Sequence, residues 1–238
     1  MPRLIGRDGR LRIRLLLGGL LAAVAALALV AFFLFPRPGT TPRDVASPAV
    51  SGGAEPSSSE ILEGSYDPAP TGCLGGQARD TAMVLATQKK AGHSTFGAVE
   101  VAASVFRWGL RYPYPAAAQI KAMRPVLAEK GATKQEAAWA SEYASAGYRK
   151  PPGDSVPSGT PYYLTTANGM WVVDGSSTKD QVVVDVAAHY VIDDAYSVAT
   201  STLRVDLQWS ERGWQVASLG RADARRLTSG GTSFTSGC

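Results

Sequence analysis

One apolar run constrains this chain more than any other feature. Leu15 to Phe35 reads LLLGGLLAAVAALALVAFFLF, without a charge or a proline. As a helix rising about 1.5 Å per residue it reaches roughly 30 Å, the thickness of a bilayer core. Arg3, Arg7, Arg10, Arg12 and Arg14 precede it against a single Asp8, whereas only Arg37 and Arg43 follow closely. The positive-inside rule then predicts a basic cytoplasmic tail over residues 1–14, a single-pass transmembrane helix over 15–35, and an extracytoplasmic remainder, all held at the cell membrane. Two other readings compete. A cleaved signal peptide could use the small residues of Ala26-Leu27-Ala28, but the apolar run continues past them, which favours an uncleaved anchor. A buried core helix would need partner sequence nearby, and this run is apolar on every face. Gly18 and Gly19 permit close helix packing in the membrane and hence a homo-oligomer, although both residues are ordinary in anchors.

The exported part has its own organisation. Residues 36–72 are rich in Pro, Gly, Ser and Thr, with no periodicity and little core-forming content, and read as a flexible linker. Such a chain has an r.m.s. span of roughly 30–35 Å, enough to lift a domain off the membrane. Within it, Ile61, Leu62 and Tyr66 could instead pack along the domain. Cys73 and Cys238 bracket the region expected to fold, residues 73–238. Outside the membrane they can form a disulfide, the alternative being two unpaired thiols. The net charge of +4 is accounted for by the N-terminal arginines. The exported part is therefore near neutral, and charge supplies no case for direct nucleic-acid binding. The Ala, Gly and Arg bias suggests a GC-rich genome such as that of an actinobacterium.

Helices come first in the domain, then strands, which predicts an α+β class. Asp80 to Lys90 reads as a short helix or an extended segment. From Thr95 to Leu110, Phe96, Val99, Ala103, Phe106 and Leu110 recur at helical spacing. Ala116 to Lys130 reads as a further helix, distorted or split by Pro125 and ending at Gly131. Thr133 to Glu136 fits a capping box opening another helix, which carries Trp139 and Tyr143. Four strands follow, Pro161–Val173, Gln181–Ile192, Val198–Trp209 and Trp214–Leu219, joined by turn chemistry at Asp174-Gly175, Asp193-Asp194 and Arg212-Gly213. In the third, Leu203, Val205, Leu207 and Trp209 alternate with Arg204, Asp206 and Gln208, the pattern of a half-solvated antiparallel sheet. The tail after Gly220 reads as loop.

Chemistry-bearing motifs are scarce. Ser94, Ser104 and Ser141 lie in no nucleophile-elbow context, and no phosphate-cradling glycine motif is present. The two cysteines make no zinc motif, and Asp193-Asp194 has no calcium-loop spacing around it. No catalytic, cofactor-binding or metal-ligating residue is assigned, so no cofactor is expected. Asp185 and His189, four apart on a strand, share a face. Val182, Val184, Val186 and Ala188 occupy the other, more apolar face, so Asp185 and His189 are expected to look outward to solvent or a partner. His93, in AGHSTF, is expected in a loop or cap. Tyr112 and Tyr114, set between prolines, are candidates for a protein contact, although filling the domain's interior suits them equally.

Three helices followed by a four-stranded meander, closed by the hairpin VDLQWSERGWQVASL, resemble the NTF2-like (cystatin-like, cone-shaped α+β) family over roughly residues 95–220. The resemblance implies helices packed on a curved four-stranded antiparallel sheet. Members with one membrane anchor, a linker and an exported domain include conjugative-transfer proteins of the VirB8 and TcpC type and the Mce-associated membrane proteins of actinobacteria. FRWGLRYPYP also resembles segments in actinobacterial proteins of mobile elements. What this implies is a non-enzymatic scaffold of an envelope-spanning system, most plausibly conjugative DNA transfer, whose partners are other envelope or transfer-machine proteins. The alternative the family offers is a ligand-binding or SnoaL/isomerase-type enzymatic domain that uses the cavity of the cone.

Overall fold

The computed structural model describes residues 68–145 and 156–238. The expected anchor, Leu15 to Phe35, and linker residues 36–67 lie outside the described residues. Among the described residues no helix is long and apolar enough to cross a membrane.

The elements run α1 (Thr81–Lys90), α2 (Thr95–Gly109), α3 (Ala117–Ala122), a 3₁₀ turn (Arg124–Val126), α4 (Ala132–Ser145), β1 (Tyr162–Val173), β2 (Gln181–Ile192), β3 (Ala195–Ser210), β4 (Gly213–Gly220), α5 (Ala224–Gly230) and β5 (Thr232–Ser233). The fold is α+β. All strand pairs are antiparallel, in the order β4-β3-β2-β1-β5. α1 starts where Asp80 caps the Met83 N–H, and α2 where Ser94 caps that of Gly97. α2 is buried along most of its length and packs on the sheet. Val205 and Leu207 point into this core and Leu203 and Trp209 pack against it, as the parity of the third strand predicts.

Pro125 breaks the helix of residues 116–130, leaving α3 and the 3₁₀ turn. Carbonyls freed by the break need donors in a buried site. Gln88 Nε2 donates to Pro125 O and Trp214 O, and Gln215 Nε2 to Pro125 O and Leu127 O, at 2.9–3.1 Å. Gly131 does not end a helix; it lies just before α4, which begins at Ala132, so Thr133 sits inside the first turn and is not its cap. The tail after Gly220 is not a loop. Leu227 and Phe234 are buried and draw it into α5 and the fifth strand, which pairs with Met170 and Trp171 of β1.

Thr71 and Gly72, assigned to the linker by sequence, belong to the domain. Glu100 of α2 accepts from the N–H groups of Thr71, Gly72 and Leu74 and from the Thr71 hydroxyl. Two turns along, Arg107 donates to the carbonyls of Gly72, Gly76, Gln77 and Ala78 at 3.1–3.3 Å. Its side chain is fully buried, and burial lowers its pKa to about 10. The strap so held meets the C-terminal residues at Thr166, whose hydroxyl donates to Gly72 O and accepts from Cys238 N. There Cys73 and Cys238 are bonded, with Cα atoms 5.7 Å apart.

Two stability measurements follow. Cys238→Ser removes a cross-link between residues 165 apart in sequence and is expected to cost about 2–5 kcal/mol in urea unfolding. Equal wild-type midpoints with and without reductant would refute this. Arg107→Met strands four carbonyls and leaves Glu100 without its counter-charge; a loss of about 3 kcal/mol or more is expected, read by the same titration.

Candidate functional site

β3 is longer than the strand that pairs with its outer edge. β4 covers only Arg204 to Ser210. Ala195 to Leu203 is bonded to β2 on one side, and among the described residues no strand pairs with its other side. This half carries no charged residue between Asp194 and Arg204. Among the described residues it holds the exposed large hydrophobics, Tyr196 at 52% and Val198 at 92% exposure.

The same half-strand forms one wall of a groove. Ser201, Thr202 and Leu203 face Phe106 of α2 and Trp139 of α4 across a space of about 450 Å³. Among the described residues the lining contains one carboxylate, Glu142, and one phenol, Tyr143. The Tyr143 hydroxyl donates to Gly109 O at 2.9 Å, and burial raises its pKa. A phenol committed in this way binds by shape and does not exchange protons readily near neutral pH.

Asp185 is not a contact residue. Its strand parity is as expected, but α5 lies over that face and leaves Asp185 at 1% exposure. Arg204 of β3 reaches Asp185 at 3.4 Å and Asp174 at 2.6 Å. Arg226 of α5 pairs with Asp174 and approaches Asp185 at 3.7 Å. Burial raises the Asp185 pKa, whereas Ser176, Arg204 and Arg226 hold Asp174 well below the ordinary carboxylate range. The network locks α5 onto the sheet. His189 is half-buried on the same face, roughly 13 Å of strand away from Asp185. Its ring lies 5.3 Å from that of Tyr196, so it supports the exposed end of β3.

Tyr112 and Tyr114 are half-buried within a cluster of tyrosines. Tyr112 exchanges backbone hydrogen bonds with Tyr162, Tyr114 shares a 2.9 Å hydroxyl contact with Tyr162, and its ring stacks on Tyr143. The interior alternative therefore describes them better than an exposed pair does. His93 is in the loop between α1 and α2, stacked 4.2 Å from Trp209 with Nε2 2.9 Å from Asp180. Sequence reasoning passed over Tyr196, Val198, Glu100 and Arg107. The uncharged stretch AYSVATSTL and the two charges inside the apolar helix FGAVEVAASVFRWG were the available signals.

No protein-family model, curated protein or solved structure matches this chain.

The Asp174 network has a pH signature. A carboxylate depressed by folding stabilises above its unfolded pKa, and that contribution is lost as pH falls through the folded value. Asp174→Asn is expected to cost about 1–3 kcal/mol at neutral pH. The gap to wild type should narrow below the ordinary carboxylate range of about 4. Denaturant unfolding at both pH values tests this, and a gap unchanged by pH would refute it.

Proposed function

We propose that this chain is a non-enzymatic, membrane-tethered interaction protein, an extracytoplasmic scaffold within an envelope-spanning system, with conjugative DNA transfer the foremost candidate. The observation that carries the reading is the unpaired half of β3. An edge strand with open hydrogen-bonding groups is normally blunted by charge, proline or a covering element. Here Ala195 to Leu203 has no charge or proline, presents Tyr196 and Val198, and runs into an apolar groove. That combination suits a protein segment that adds as a strand and seats side chains beside it. The strap supports the tethered geometry: chain arriving from the expected linker is fixed to α2 and to Cys238 before the first helix begins. Helices before a meander keep an NTF2-like assignment in play as the frame of this proposal.

The volume of the groove favours a second reading, a ligand-binding domain that takes an apolar small molecule between α2, α4 and the sheet. The two readings separate at Val198, which is exposed on the strand and is not part of the groove lining.

A photo-crosslinker placed at Val198 in the full chain, in cells, tests the first reading. Recovery of the extracytoplasmic segments of channel or transfer-machine components is the expected result. With the crosslinker moved to Tyr196, Val198→Asp should abolish that recovery while changing stability by no more than about 0.5 kcal/mol. Self-crosslinks alone, or none, would overturn the scaffold reading.

A further inference from the structure

Burying two like charges side by side is unfavourable unless counter-charges close the pairs. Arg79 precedes the cap of α1 and Arg111 follows the end of α2. The antiparallel bridge between Tyr112 and Tyr162 brings Arg111 beside Tyr163. The Arg79 guanidinium carbon lies 3.5 Å over the Tyr163 ring. Both arginines are half-buried, and they repel one another. Among the described residues neither forms an ion pair. Arg111 has a single side-chain hydrogen bond, Nη2 to Gln119 Oε1 at 2.9 Å. Arg79 makes none, and the Nε–H of each is buried without an acceptor.

The neighbouring acids do not resolve this. Asp80 and Asp194 act on the pair from beyond ion-pair reach, and Asp80 already accepts from the Met83 N–H at 2.8 Å. Arg107 adds a third positive charge nearby; its Nη groups donate to backbone carbonyls, although its Nε–H also lacks an acceptor. The contact with Tyr163 holds the Arg79 guanidinium in place, and its Nη groups have no acceptor among the described residues. A guanidinium edge of this kind grips an oxyanion through two parallel N–H bonds. One carboxylate has only two oxygens and is served by a single fork. Two guanidiniums set beside the same Tyr163 match an anion with three or four oxygens.

We propose that Arg79 and Arg111, braced by Tyr163, form a binding site for a phosphate-class oxyanion, whether free phosphate or the headgroup of an anionic phospholipid. The site lies at the start of β1 and uses no residue of the β3 edge. It stands or falls independently of the scaffold reading.

The test uses the full chain in uncharged detergent and a phosphate-free buffer of low ionic strength. Titration calorimetry with inorganic phosphate is expected to give one saturable site, weakened by added salt. Arg111→Gln and Arg79→Gln should each weaken it about tenfold or more. Arg221→Gln, at an exposed arginine in the β4–α5 connection, should leave it unchanged. If Arg79→Gln fails to unfold cooperatively, Arg79→Lys keeps the charge, loses the fork and should still bind more weakly. Competition by a short-chain phosphatidylglycerol, with phosphatidylcholine inert, assigns the headgroup as the source; its absence assigns free phosphate. No saturable phosphate binding by the wild type, or equal affinity in Arg111→Gln, would overturn the proposal.

Discussion

Everything at the entry to the domain depends on two charges buried in one helix. Residues 71–78 form neither helix nor strand, so their backbone groups have no ladder to join, and burying them unpaired would be costly. Glu100 supplies acceptors for the N–H groups of Thr71, Gly72 and Leu74. Arg107 supplies donors for the carbonyls of Gly72, Gly76, Gln77 and Ala78. The two side chains act as a substitute for secondary structure. Their charges offset each other within α2, which permits burial of both in an otherwise apolar helix. The disulfide lies where this strap is already fixed. It cross-links backbone that the clamp and Thr166 have brought together, and it need not do the positioning itself.

Strand parity and bracketing cysteines were legible because they depend on local rules. Leu203, Val205 and Leu207 point inward because the side-chain period of a strand is two, whatever surrounds it. Pro125 breaks a helix for an equally local reason. The misreadings share a different cause. Asp185 was placed on the correct face, yet whether that face meets water is decided by α5, about forty residues later, in a tail too polar to announce a helix. The tail folds because Leu227 and Phe234 each find a pocket and Arg226 finds Asp174. Three isolated contacts leave no periodic trace. Tyr112 and Tyr114 are similar: their spacing is silent on the partners that enclose them, Tyr143 and Tyr162.

The two faces of the sheet are therefore stabilised by different physics. One is apolar and buries α2, with α1 and the 3₁₀ turn completing the layer. The other carries Asp174, Asp185, Arg204 and Arg226, whose mutual pairing is worth little at an exposed surface but more once α5 excludes water. Over β1 and β2 both faces are therefore covered. What remains open is set by an inequality of length. β3 has sixteen residues and β4 eight, so one edge of the sheet outruns its cover.

That inequality ties the groove to the exposed edge. If β4 extended to pair with Ala195, its added residues would occupy the space beside Ser201 to Leu203, and the wall of the groove would be a continuous sheet. Stopping at Gly220 sends the chain away toward α5, which then locks the opposite face. The short strand thus does two things at once: it frees the half of β3 that carries Tyr196 and Val198, and it releases the segment that buries Asp185. An exposed, uncharged edge of this kind is an aggregation liability in a freely diffusing protein. On a chain tethered to a membrane, diffusion is confined and the edge is presented beside whatever occupies the same surface. On the tether proposed above, that liability would favour selective pairing with a neighbour, and the proposed anchor would give the open edge its use.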